Sequence, residues 1–83
     1  MALTEHQKKC VEQAAEKLAD YVWNMMKEKG KGLRDEIHAY FILASMQRKG
    51  ELPCIVDYEF SVAVYNRVGY YLTQKYYKRR VYT

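Results

Sequence analysis

Residues 54–64 read CIVDYEFSVAV, and two backbones compete for them. Cys54, Val56, Tyr58, Phe60, Val62 and Val64 are apolar at every second position, with Asp57, Glu59 and Ser61 between them, which is the period of a strand. On that reading Asn66 to Gly69 turns a hairpin, and the chain becomes a winged-helix-like α+β domain. The other reading caps a helix at Asp57 and lines up Phe60, Val64, Val68, Tyr71 and Leu72 on one face, with Asn66, Thr73 and Gln74 opposite. The alternation stops after Val64, whereas the helical stripe continues to Tyr76. A helix over about 57–79 is therefore expected, although valines and tyrosines favour strands.

Upstream, two more helices are expected. Thr4 and Gln7 have the capping-box spacing, and Val11, Ala14, Ala15, Leu18, Tyr21, Val22 and Met25 recur at three and four, which predicts a helix over about 4–29 with that stripe in the core. Lys27 and Lys29 suit its carboxy-terminal end, and Gly30 can take the left-handed closing conformation. Leu33, Ile37, Tyr40, Phe41 and Ala44 keep the same period and predict a second helix over about 33–49, ended by Gly50 and by Pro53. Three such helices bury their stripes on one another, so the expected fold is all-α, a small three-helix bundle in one domain spanning residues 1–83.

The 83 residues are 49% hydrophobic and 29% charged, a globular composition close to the lower size limit for a single core. The amino-terminal MALTEHQKKC carries charge where a secretory leader needs an apolar run, and no apolar stretch approaches the roughly 18 residues of a membrane span. A soluble, cytoplasmic protein is the expectation. Cys10 and Cys54 could form at most one disulfide, and with no sign of an oxidising compartment two buried thiols are expected.

Charge is unevenly placed. All 10 acids lie before residue 60, whereas residues 60–83 hold Arg67, Lys75, Lys78, Arg79 and Arg80 and no acid. Neighbouring cations add their potentials within a Debye length of about 8–10 Å, so this quarter of the chain should attract anions. Cations also favour a helix carboxy terminus, but one or two would serve that role. On a helical wheel Ala63, Tyr70 and Tyr77 fall about 160–180° from Val64 and Val68, with Arg67, Gln74 and Lys78 beside them. A row of rings that the core does not claim suggests a stacking platform, a partner groove or a dimer seam. Trp23 lies at the margin of the first helix's stripe and is a secondary contact candidate.

Chemistry is thin by comparison. His6, Cys10, His38 and Cys54 have a zinc composition, but lack a close Cys-x2-Cys or His-x3-His pair, so no metal is expected. The four glycines form no phosphate loop and the serines no nucleophile motif, so neither cofactor nor catalysis is expected. The first expectation is a non-enzymatic nucleic-acid-binding regulator using Arg67, Tyr70, Lys75, Tyr77, Lys78, Arg79 and Arg80, with a homodimer as a further option. The alternative is an adaptor or inhibitor, of the size and style carried by mobile elements, that sets the same surface against an acidic protein partner.

Overall fold

The computed structural model describes residues 4–77, and among these every regular element is helical: α1 Glu5–Lys29, α2 Glu36–Arg48 and α3 Tyr58–Leu72, the last continued by a π-helical turn, Thr73–Tyr77. The protein is a small all-α three-helix bundle. The contested stretch is resolved at its cap. Asp57 takes an extended backbone, its Oδ1 accepts the Phe60 N–H at 2.8 Å, and Ser61 Oγ donates to the Asp57 carbonyl at 2.8 Å. The first bond satisfies an orphan backbone donor of the first helical turn, and the second lets Ser61 be buried without leaving its hydroxyl unpaired. No strand occurs among the described residues, so the hairpin is excluded there.

The other helix ends follow the same physics. Gln7 N–H donates to Thr4 Oγ1 at 3.1 Å and Thr4 N–H to Gln7 Oε1 at 2.9 Å, the reciprocal capping box. Gly30 closes α1 at φ 69°, which disfavours any residue with a Cβ. Asp35 accepts the His38 N–H at 2.9 Å, so α2 begins at Glu36, later than the periodicity suggested.

Contacts between α1 and α3 advance in step. Glu12 meets Arg67 and Tyr71, Asp20 meets Lys75 and Tyr76, and Met26 meets Tyr77. The two helices therefore run parallel. α3 packs on both neighbours, while α1 and α2 meet each other only lightly. The core combines Val11, Ala14, Ala15, Leu18, Ala19 and Val22 of α1 with Ala39, Leu43 and Met46 of α2 and Phe60, Val64 and Val68 of α3. Burying a Leu or Val side chain contributes about 1.5–3 kcal/mol, and Leu18, Leu43 and Val64 are fully enclosed.

Two expectations about faces are corrected. Tyr21 is 46% exposed and Met25 only partly covered; Cys10 and Ala19 complete the α1 stripe instead. In α2 the orientation is nearly reversed. Ile37 and Phe41, expected in the core, are 52% and 65% exposed, whereas Ala39, Leu43 and Met46 are buried. Both sides of α2 are apolar, so period alone could not choose between them.

The two cysteines are also corrected. Cys10 and Cys54 are buried as expected but joined in a disulfide, their Cα atoms 6.1 Å apart. That separation lies within reach of the bond, and the fold creates it by laying the α2–α3 connection along α1. Leu52 is buried in the same connection, the Glu51 carbonyl accepts from Lys17 Nζ, and Val56 N–H donates to Gln47 Oε1 at 3.3 Å.

Candidate binding surface

Acids of α1 recur at four-residue spacing, Glu12, Glu16 and Asp20, and so share one side of the helix. Parallel packing sets that side against the cations of α3. Arg67 Nε lies 3.0 Å from both oxygens of Glu12, and Tyr71 O–H donates to Glu12 Oε1 at 2.6 Å. Further along, Lys75 Nζ donates to Asp20 at 2.8 Å and lies 3.4 Å from Glu16, and Tyr76 O–H donates to Asp20 at 2.6 Å. Two of the expected contact cations thus have their charge matched within the chain.

The electrostatics record these contacts. The Tyr71 hydrogen bond, against some burial and assisted by Arg67, holds Glu12 below the usual carboxylate range. Burial pushes Asp20 up, but the hydrogen bonds from Lys75 and Tyr76 and the Lys75 charge together outweigh it, leaving the carboxyl depressed. Conversely, the bond to Glu12 raises Tyr71, and the bond to Asp20 raises Lys75.

The row of rings is divided. Tyr70 is 47% exposed, with the Arg67 guanidinium 4.0 Å above its ring and Tyr71 edge-on at 5.1 Å. Tyr77 lies against α1 instead, its hydroxyl 3.6 Å from Met26 Sδ and its ring edge-on to Trp23 at 5.6 Å. The π turn explains the departure from the wheel: bonding from i to i+5 places more residues in each turn, so positions after Leu72 lag behind α-helical phase. Trp23, expected at the core margin, is where these rings converge, stacked on Tyr76 at 4.5 Å and 9° with Lys27 Nζ 5.9 Å from its ring. Lys78, Arg79 and Arg80 lie outside the described residues.

Parallel packing also gathers charge that sequence reasoning left unused. Lys27, Lys29 and Lys31 are exposed at the end of α1 with Glu28 among them, the same end of the bundle at which Tyr77 meets Met26. Glu5, Asp57 and Glu59 stand at the opposite end, near the Cys10–Cys54 bond, together with Lys8, which pairs with Glu5 at 3.9 Å, and Lys9. Run order alone does not show which helices are parallel, and so hid this pole.

The zinc-like set is not drawn together. His6 Nε2 lies 3.7 Å from Cys10 Sγ, but both sulfurs are used by the disulfide, and His38 Nδ1 accepts the Arg34 N–H at 3.3 Å on α2. No group of three or more potential ligands occurs among the described residues. Nor is any described helix long and apolar enough to cross a membrane. Comparison with family models, curated proteins and solved structures finds no match for the chain.

Proposed function

We propose that the protein is a small, non-enzymatic, nucleic-acid-binding regulator whose contact region is the carboxy-terminal end of the α1–α3 pair. The observation that carries this reading is the parallel packing of those helices. It brings exposed Lys27, Lys29 and Lys31 to the end where the described chain stops at Tyr77. Lys78, Arg79 and Arg80 continue the sequence from that residue. Clustered cations release counterions from a phosphate backbone, and the partly exposed aromatic cluster of Trp23, Tyr76 and Tyr77 stands beside them. Arg67 and Lys75 contribute less than their sequence position suggested, because Glu12, Glu16 and Asp20 already answer them.

Salt-titrated anisotropy with random duplex and single-stranded DNA tests the reading. The logarithm of affinity should fall linearly with the logarithm of salt, by about 0.7–0.9 per phosphate neutralised. Replacing Lys78, Arg79 and Arg80 by alanine should flatten that slope, as should replacing Lys27, Lys29 and Lys31. Arg67→Ala should leave it nearly unchanged. Absence of binding at low salt would remove the proposal.

The cytoplasmic setting expected from the sequence sits uneasily with a disulfide, which a reducing cytosol disfavours. The charge of the pole does not depend on that bond. The adaptor or inhibitor alternative draws its support from a different surface, the outward side of α2.

A further inference from the structure

We infer that the outward side of α2 is a docking site for an acidic amphipathic helix of a partner protein. Ile37, Phe41 and Ala44 follow one another at four and three residues along this side, and the first two are more than half exposed. Beside them a groove of 440 Å³ opens where α1 and α2 are loosely packed; Tyr21, Phe41, Ile42 and Met46 form its apolar part, and its lining also includes Lys49 and Glu51. Large apolar groups in a row next to a groove are the receiving half of helix-in-groove recognition.

Charge selects the occupant. Arg48 is exposed in the last turn of α2, and Arg34 is exposed in the chain two residues before the helix begins. The 13-residue helix between them is about 20 Å long at 1.5 Å per residue. Neither guanidinium has an ion pair among the described residues, in contrast to Arg67 and Lys75. Of the two acids that follow Arg34, Asp35 accepts the His38 N–H as the cap of α2 and Glu36 accepts from Tyr58 at 3.2 Å. A guanidinium fork fits a carboxylate bidentately, so the complementary segment is a helix with apolar residues at i, i+4 and i+7 and acids near both ends.

A second copy of this chain does not fit. Paired antiparallel, its stripe sets Arg34 against Arg48; paired parallel, each arginine faces itself. Nucleic acid would answer the arginines, but would leave the aliphatic Ile37–Ala44 centre unmatched. This site shares no residue with the proposed nucleic-acid contact, and either can fail without the other.

The test is selection from a displayed library of helical peptides on the full-length chain, followed by affinity measurements on the selected peptides. Selected sequences should carry the apolar spacing and flanking Asp or Glu. Their binding should weaken roughly tenfold or more on Phe41→Ser and again on Arg34→Glu with Arg48→Glu. Lysine-for-acid versions of the peptides should recover affinity for the doubly charge-reversed protein. Replacing Lys78, Arg79 and Arg80 by alanine should change nothing, which separates this site from the pole. Failure to select binders, binders without acids, or binders indifferent to Phe41 and the two arginines would overturn the inference. So would sedimentation showing a dimer that Phe41→Ser dissolves, or competition by random DNA for the same face.

Discussion

The outward sides of α2 and α3 look alike in sequence and differ in the folded chain. Each carries aromatic rings near arginines. On α3 the cations are answered from within: Arg67 by Glu12 and Lys75 by Asp20 and Glu16, with Tyr71 and Tyr76 adding hydroxyl hydrogen bonds to the same acids. At α2 no ion pair to Arg34 or Arg48 occurs among the described residues, and Phe41 is 65% exposed. A cation therefore becomes available for a partner by the absence of an internal acid opposite it, and that depends on which helix lies alongside. The parallel neighbour α1 supplies such acids to α3; no described helix supplies an ion pair to the outward side of α2.

The largest expected effect concerns what holds α2 in place. The Cys10–Cys54 bond closes a loop with a sequence separation of 44, which encloses most of α1 and all of α2. Chain-entropy reasoning gives about 4 kcal/mol for a loop of that size. The Cys10→Ser, Cys54→Ser protein should lose about 2–4 kcal/mol in urea denaturation, and hydrogen exchange should accelerate in α2 more than along the α1–α3 contact. Equal acceleration in both would show that the two sides are not held independently.

A comparison within α2 comes next. Leu43 is fully buried and Phe41 lies on the other side of the same helix. Leu43→Ala should cost about 3 kcal/mol by cavity formation, whereas Phe41→Ser should stay within about 0.5 kcal/mol. Comparable losses at the two positions would reverse the orientation of α2 and remove the docking face with it.

This pair of residues also marks where sequence reasoning ran out. In α3 the stripe from Phe60 to Leu72 has polar Asn66 opposite it, so a 100° period picks out one side, and the Asp57 cap fixes where the helix starts. α2 runs Ile37, Ala39, Tyr40, Phe41, Ile42, Leu43, Ala44 and Met46, apolar almost all round, and which side is buried depends on its neighbours. The ion pairs were hidden for a similar reason. Glu12 and Arg67 are 55 residues apart, and only the parallel course of α1 and α3 brings them together. The π turn escaped too, since no wheel drawn at a fixed angle allows for the lag that carries Tyr77 to Trp23.

The smallest effects belong to the ion pairs between α1 and α3, which carry a pH signature. Glu12 and Asp20 have depressed folded-state values, so their contribution is complete above their ordinary values of 4.5 and 3.8 and is lost as pH falls through the lower folded ones. Tyr71 and Lys75 are raised, so theirs is complete below 10.0 and 10.5 and is lost as pH rises past the folded values. Stability should therefore be level between these limits as far as these groups are concerned, and decline on both sides. All four side chains are partly solvated, so each step is modest. Tyr71→Phe should cost about 0.5–1 kcal/mol at neutral pH and Glu12→Gln a similar amount. In denaturation below pH 4.5 the Glu12→Gln penalty should shrink as the pH falls, because the unfolded carboxyl then binds a proton that the folded one resists. An undiminished penalty over that fall would mean that Glu12 acts through packing, and the contrast between an internally answered α3 and an unanswered α2 would lose its electrostatic basis.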